Sequence, residues 1–175
     1  ESVFGRFNYN WRGRYYVTAT LRADGSSNFA ANSKWGFFPS VALKWNVIKE
    51  PFMKNVLWIS GLSFRASAGR TGNDAIAAYR SLQSYNSSTS AYIFDNAMGV
   101  VYYPNRLANP DPTWEKTDQY NVALEASFLD DRINLELDAY CSTTRDLLLT
   151  VSTIQSTGYS SIFRNLGRTS NKGTE

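Results

Sequence analysis

The stretch RYYVTATLRADGSSNF, from Arg14 to Phe29, alternates apolar and polar residues and then stops alternating. The odd positions from Tyr15 to Ala23 are apolar, while the even positions from Tyr16 to Asp24 are mostly polar. Such alternation over about ten residues is typical of a β-strand whose two faces meet different surroundings. The sequence Asp-Gly-Ser-Ser that follows is typical of a turn, so the strand is predicted to end near Asp24.

The same period of two recurs along the chain. The further segments that show it span 3–10, 35–47, 58–68, 119–128 and 133–142. No segment of comparable length has helical periodicity, and residues 51–56 are predicted to form a single helical turn at most. The chain is therefore predicted to be all-β and antiparallel, with a long strand in each of these six segments.

The links between these segments alternate between short and long. Residues 10–13 and 130–131 form tight turns, and 48–56 is compact. The long and polar links span 25–34, 71–112 and 145–163. Because consecutive antiparallel strands run in opposite directions, the short turns are predicted at one end of the sheet and the long loops at the other.

Two local features complete this outline. Strand-like pieces at 79–85 and 99–103 predict a hairpin inside the longest loop. Pro39 lies within an alternating segment. Because proline cannot donate to a ladder, a bulge is predicted at this position, near the loop end of the strand.

A strand with one apolar face fits two environments. The first is a soluble antiparallel sandwich, in which the apolar faces pack on each other. The second is a transmembrane barrel, which is apolar toward lipid and polar toward a wet lumen. Strands of soluble proteins average about five or six residues, whereas a tilted membrane-spanning strand needs roughly nine to eleven, and these segments reach the longer class.

Aromatic residues gather near the ends of the apolar faces, as the interfacial girdles of a barrel require. They are Tyr15, Trp35, Trp45, Trp58, Tyr120 and Phe128. The segment lengths and these aromatic residues together favour a transmembrane β-barrel fragment with short periplasmic turns and long extracellular loops.

Charged side chains persist on the polar faces of these strands, which suits a hydrated channel. The candidate lumen-facing residues are Arg22, Asp24, Lys44, Arg65, Glu125, Glu136 and Asp138. Glu136 and Asp138 are interpreted as hydrating the lumen and not as an acid and base pair, because glycosidases place such carboxylates on opposing walls.

Composition excludes several classes of protein. The 175 residues are 43% hydrophobic and 19% charged, which argues against disorder, and no apolar run is long enough to predict a transmembrane helix. Histidine is absent and Cys141 is the single cysteine, so Ser-His-Asp catalysis and the common zinc sites are excluded. The net charge of +3 is scattered, which disfavours a nucleic-acid surface. Neither enzymatic activity nor a cofactor is expected.

Seven motifs follow one another in the order of a known family. They are LRADGSSNF, WGFFPSVALKW, EPFMKN, LSFRASAGRTGN, LANPDPTWEKTDQYNVAL, DDRINLELDAYCSTTRDLLL and NLGRTSNKGTE. Together they resemble the C-terminal half of the barrel in SusC/RagA-type TonB-dependent outer-membrane transporters, best known from Bacteroidetes. The resemblance covers nearly the whole chain and is weakest over 75–103.

The resemblance implies a barrel of about 22 strands in the cell outer membrane, with a plug in its lumen, and this chain would supply about seven long strands of that barrel. Residues 1–175 would form part of that single barrel domain, whereas the plug domain and the signal peptide are absent from this chain. It further implies a SusD-like surface lipoprotein that lids the barrel, energy from TonB through the plug, and oligosaccharides or peptides as cargo.

Aromatic residues in the longest loop region are candidates for contacts with cargo or with the lid. They are Tyr79, Tyr85, Tyr92, Phe94, Tyr102 and Tyr103. Sugars stack on exposed aromatic faces, and tyrosine suits a protein interface. The alternative for these side chains is that they pack the loop against itself, and the alternative for the whole chain is a soluble β-sandwich module for carbohydrate binding or adhesion.

Overall fold

The computed structural model describes residues 1–29, 32–74, 82–94, 97–109 and 111–175. The strands are β1 Ser2–Trp11, β2 Tyr15–Gly25, β3 Trp35–Asn46, β4 Ile59–Asn73, β5 Ser84–Phe94, β6 Ala97–Leu107, β7 Glu115–Phe128, β8 Ile133–Arg145, β9 Leu148–Ser152, β10 Ser161–Asn165 and β11 Arg168–Thr174. Short 3-10 turns span Val47–Lys49, Pro51–Met53 and Gln155–Thr157. In the ranges that the structure describes, no helix has the length and hydropathy needed to cross a membrane.

Seven long strands form one antiparallel sheet in the order β1-β2-β3-β4-β7-β8-β11. The prediction of an all-β antiparallel fold is therefore confirmed. The alternating segments found in the sequence correspond to β1, β2, β3, β4, β7 and β8. The single turn predicted at 51–56 is the 3-10 turn Pro51–Met53.

The register of this sheet separates an apolar face from a polar face. Val17 pairs with Leu43 and Leu124 pairs with Leu137, whereas the neighbouring pairs, such as Glu125 with Glu136, are polar. Paired residues of an antiparallel ladder point to the same side, so each class of pair extends into a continuous face. The apolar face is uncovered among the described residues, since Leu43 and Leu137 are 49% and 50% exposed.

The polar face lines a hollow. A depression of about 600 Å³ is lined mostly by polar-face residues of β2, β3, β4 and β7, from Thr18 and Thr20 across Ser40 to Asn121. A smaller one includes Lys44, Arg65 and Asp138. An uncovered apolar face opposite a polar hollow reverses the usual arrangement of a soluble sheet, whose apolar face is packed against a core.

The connections alternate as the sequence predicts. Arg12 and Gly13 have φ values of +54° and +65°, and the Arg14 amide donates to the Trp11 carbonyl at 3.0 Å. Two central residues with positive φ define the type I′ turn that matches the twist of a hairpin. This turn, the link 47–58 and the turn at 129–132 lie at one end of the sheet, the turn end.

Pro39 departs from the prediction of a bulge. It pairs with Leu21 in a β2–β3 register that shows no shift. The β3–β4 ladder reaches only the Ser40–Gly69 pair, so Pro39 lies just outside it. Proline has no N–H to donate, and the sheet tolerates it because the β3–β4 ladder ends before Pro39. No bulge forms at this position.

The opposite end of the sheet, called the loop end, carries a second sheet of four strands in the order β5-β6-β10-β9. The hairpin predicted within 71–112 is confirmed as β5 and β6, although its strands cover 84–94 and 97–107. The prediction that 145–163 is only a loop is wrong, because it contains β9 and the start of β10. Both are strands of five residues, too short for alternation to reveal.

A small aromatic cluster holds the two sheets together. Phe29, Phe38 and Trp114 are buried, and Leu148 of β9 and Phe163 of β10 pack against them. The Trp114 ring centroid lies 5.2 Å from that of Phe29 and 5.3 Å from that of Phe38. A Cβ added at Gly36 or Gly72 would overlap the Phe38 ring, so both glycines make room for it.

Candidate functional site

Five of the predicted polar-face residues form one ion-pair network across four strands. Lys44 Nζ lies 3.0 Å from Glu125 Oε2, and Arg65 Nε lies 2.8 Å from Glu125 Oε1. Arg65 Nη2 then reaches Glu136 Oε1 at 2.5 Å and Asp138 Oδ1 at 4.0 Å. The network joins β3, β4, β7 and β8 through side chains on the polar face.

The network carries more negative than positive charge. Three carboxylates, on Glu125, Glu136 and Asp138, meet two cations, on Lys44 and Arg65. Glu125 is the most engaged, since the Ser63 hydroxyl also donates to it at 2.5 Å. Glu136 is mostly exposed at the edge of the network. The arrangement suits a hydrated wall that displays hydrogen-bonding groups, and it lacks the opposing carboxylates that glycoside hydrolysis needs.

The other two predicted polar-face residues lie apart from this network. Arg22 Nε contacts Asp24 Oδ2 at 2.7 Å within β2. Both residues line the larger hollow, closer to the loop end than Lys44 and its partners. The larger hollow thus holds a closed ion pair, whereas Lys44, Arg65 and Asp138 of the network line the smaller one.

The loop tyrosines occupy the second sheet. Tyr85 pairs with Pro104, two residues from Tyr102, whereas Tyr103 pairs with Asn86. Period two therefore places Tyr85 and Tyr102 on one face of the hairpin and Tyr103 on the other. Tyr102 is 72% exposed and Tyr85 is 58% exposed, so these two rings are not packed within the described loop. Tyr79 lies outside the described residues, and for Tyr92 and Phe94 only the backbone in β5 is described.

A carboxylate at the turn end was not among the predicted functional residues. Glu50, only 8% exposed, accepts hydrogen bonds from Tyr15 Oη at 2.8 Å and Trp45 Nε1 at 3.2 Å. Arg14 Nη1 approaches its other oxygen at 3.5 Å. The Tyr15 and Trp45 rings stack with centroids 6.2 Å apart, so Glu50 fixes an aromatic pair to the link after β3. Only the motif EPFMKN marks this position in the sequence.

We expect Glu50→Gln to remove a pH-dependent part of the stability of the full-length barrel. The Tyr15 hydroxyl donates to the carboxylate and, with Trp45 and Arg14, holds the pKa of Glu50 below its ordinary value. A lowered folded-state pKa stabilises the fold above the unfolded-state pKa, and this contribution is lost as the pH falls through the folded-state value. Unfolding by urea at neutral and acidic pH would measure it.

The two proteins should differ most at neutral pH and converge in acid. Asp131→Asn is the matched control, because Asp131 is exposed at the same end. A constant difference between wild type and Glu50→Gln across this pH range would contradict the proposed hydrogen-bonding role of the carboxylate.

The structure also shows an ion pair between an exposed arginine and a buried carboxylate, which the alternation pattern did not reveal. Asp118 lies in β7, two residues before Tyr120, and is 8% exposed. Arg70 donates to both carboxylate oxygens of Asp118, from Nε at 2.6 Å and from Nη2 at 3.2 Å. The sequence interpretation ended the strand before Arg70, whereas β4 continues to Asn73. The signal that was available is the opposite charge of two residues on neighbouring strands, which only the register brings together.

Comparison with known proteins places this geometry in a family. The family described as "TonB dependent receptor-like, beta-barrel" matches residues 1–175. The chain is 38% identical over 175 residues to TonB-dependent receptor P39 of Formosa agariphila, covering 100% of this chain and 16% of that protein. It is 38% identical over 181 residues to TonB-dependent receptor SusC of Bacteroides thetaiotaomicron, covering 99% of this chain and 18% of SusC.

A solved structure supports the same placement. The RagAB peptide importer in its closed-closed state matches with a TM-score of 0.84 and 31% identity, over 99% of this chain and 18% of the importer chain. A one-sided sheet around a polar hollow is the wall of a barrel, and the chain belongs to the TonB-dependent receptor-like β-barrel family. Within that family the resemblance to SusC and RagA is confirmed. The chain spans less than a fifth of the length of these relatives.

Proposed function

We propose that this chain forms part of the wall of an outer-membrane importer that takes up oligosaccharides or peptides. A SusD-like lipoprotein would cover the extracellular mouth, and TonB would act through a plug in the lumen. The observation that most supports this proposal is the uncovered apolar face on the side of the sheet opposite a polar hollow. The relatives are named as receptors and importers, which supports transport over catalysis.

The spacing of aromatic residues supports a membrane-spanning sheet. On the apolar face, Trp45 and Phe37 lie eight positions apart in β3, and Phe128 and Tyr120 lie eight positions apart in β7. At about 3.3 Å per residue these separations are roughly 26 Å along the strand, or about 20 Å in height for a strand tilted by about 40°. The apolar band of outer-membrane barrels is about 25 Å tall and is flanked by aromatic girdles. The turn end would then be periplasmic and the loop end extracellular.

The polar face would be the wall of the lumen. We assign the seven charged residues predicted from the sequence, Arg22, Asp24, Lys44, Arg65, Glu125, Glu136 and Asp138, to this hydrated surface. The excess of carboxylates in the Lys44–Arg65 network favours contact with hydroxyl, amide or cationic groups of a passing cargo. Tyr85 and Tyr102 extend from the loop end with exposed rings, so they are placed to meet cargo or lid.

The alternative of a soluble sandwich has less support. A sandwich buries the apolar faces of its two sheets against each other. Here the described hydrophobic side chains that are buried are Phe29, Phe38, Trp114, Ala123 and Ala126. Apart from the two alanines they belong to the junction at the loop end, so they do not cover the apolar face.

Surface labelling of intact cells tests the proposed location and orientation. In the full-length transporter with Cys141→Ser, we expect Ser27→Cys to react with a membrane-impermeant maleimide and Lys54→Cys to react only after the outer membrane is opened. Ser27 lies exposed at the loop end and Lys54 at the turn end. The two sites therefore serve as controls for each other.

Labelling of both sites only after cell lysis would contradict the outer-membrane location. Labelling of position 54 but not of position 27 in intact cells would show that the orientation is the reverse of the one proposed. Comparable expression and denatured-state labelling of the two variants would show that the difference reports access and not reactivity.

A further inference from the structure

A belt of basic side chains crosses the loop end of the sheet on its apolar face. Lys116 pairs with Arg145, which pairs in turn with Arg168, so these three side chains point to the same side of three neighbouring strands. Period two along β7 places Lys116 on the same face as Tyr120 and Val122. The basic belt consists of Arg70, Lys116, Arg145, Arg168 and Lys172.

The basic belt is poorly neutralised. Asp118 is its acidic partner, held by both Arg70 nitrogens and lying 3.9 Å from Arg145 Nη2. In the part of the chain that the structure describes, no other carboxylate lies within ion-pair distance of the belt. Arg145, Arg168 and Lys172 are exposed. Asp118 thus orients two arginines. Among the described residues, Lys116, Arg168 and Lys172 form no ion pair with a carboxylate, so their side chains can bind another anion.

The height of the belt matches a membrane interface. Tyr120 belongs to the aromatic row at the loop end, and Asp118 and Lys116 follow it at two and four residues toward that end. Lys172 pairs with Cys141, and Cys141 pairs with Tyr120. Aromatic girdles of outer-membrane barrels lie at the level of the headgroups, so the belt begins where the apolar band stops and faces away from the lumen.

Phosphate is the anion that best fits these donors. Arginine guanidinium groups bind phosphate oxygens through paired N–H donors, and lysine adds a point charge. Clusters of basic residues beside a membrane-facing segment attract anionic lipids. We propose that the basic belt binds the phosphate groups of anionic lipids in the leaflet that surrounds the extracellular rim. This inference rests on the proposed function, because it needs the apolar face to meet lipid.

The test compares two triple variants of the full-length transporter. Lys116→Gln/Arg145→Gln/Arg168→Gln removes three charges from the belt. Lys49→Gln/Lys54→Gln/Arg132→Gln removes three exposed charges at the turn end and is the matched control. Each protein is first inserted into phosphatidylcholine vesicles, and the binding of phosphatidic acid to the detergent-solubilised protein is then measured by native mass spectrometry.

The belt variant should bind its tightest phosphatidic acid on the order of 100-fold more weakly, at about fivefold per basic residue. The control should stay within about twofold of wild type, and added salt should weaken binding to wild type most. Insertion without any preference for phosphatidic acid over phosphatidylcholine, or equal losses in both variants, would overturn the belt proposal alone.

Two further results would also be decisive. Failure of wild type to insert into vesicles would overturn the proposed membrane orientation and the lipid site with it. Unchanged lipid binding in the belt variant, together with loss of a copurifying acidic protein, would assign the belt to a protein partner and overturn the lipid proposal.

Discussion

Trp114→Ala is expected to release the four-stranded sheet at the loop end from the seven-stranded sheet while leaving the seven-stranded sheet intact. Trp114 is 6% exposed and joins Phe29 and Phe38 to β9 and β10. Truncating a buried tryptophan to alanine costs roughly 3 to 5 kcal/mol. In the full-length protein, amide hydrogens of β9 and β10 should therefore exchange about 150- to 5,000-fold faster, whereas those of β2 and β8 should change little.

Trp114→Phe is the matched control for this variant. The Trp114 indole N–H is buried and has no hydrogen-bond partner among the described residues. A phenylalanine keeps an aromatic ring in the cluster and removes that unsatisfied donor, so its penalty should be about 1 kcal/mol or less. Equal exchange rates in wild type and Trp114→Ala would show that the cluster does not hold the two sheets together.

Val17→Arg is expected to destabilise the barrel in lipid, whereas Thr18→Arg is expected to be tolerated. Val17 pairs with Tyr9 and Leu43 on the apolar face, and Thr18 pairs with Asn8 and Ala42 on the polar face. An arginine facing lipid at the bilayer midplane costs roughly 2 to 4 kcal/mol in outer-membrane barrels. Reversible unfolding in lipid vesicles would measure the difference.

Depth dependence separates a membrane barrel from a soluble sheet. Tyr15 and Ala23 share the face of Val17 but lie nearer the two ends of β2. An arginine at either position can extend toward water, so its penalty should be smaller than at Val17. Equal penalties at the three positions would argue against a lipid-facing strand, and a larger penalty for Thr18→Arg than for Val17→Arg would exchange the two faces.

Alternation predicted the long strands because each of them has two unlike faces. It missed β11, whose residues Arg168–Thr174 are polar on both faces. Part of the reason is its position at the loop end, where the basic belt replaces the apolar stripe with Arg168 and Lys172. A strand that contacts no apolar surroundings carries no period-two signal.

The sequence predicted the strand face on which each candidate site residue lies, but it did not predict the residues with which that side chain forms ion pairs. Period two placed Arg65, Glu125 and Glu136 on one side of their strands. Their ion pairs depend on the β4–β7 and β7–β8 registers, and the first of these joins strands that are distant in the sequence. The aromatic cluster was missed for a similar reason. Phe38 of β3 and Trp114 are far apart in the sequence, and their rings come into contact only in the folded chain.

The long ladder between β4 and β7 has a consequence for how such proteins diversify. It pairs the strands from Ile59 with Phe128 to Asn73 with Glu115, although the segment 74–114 separates them. The entropy lost on closing a flexible loop grows with the logarithm of its length, at about 0.6 kcal/mol per doubling. Insertions or exchanges within this segment would therefore weaken the ladder very little. New recognition elements can be grafted there during evolution while the strands beneath them keep the same register.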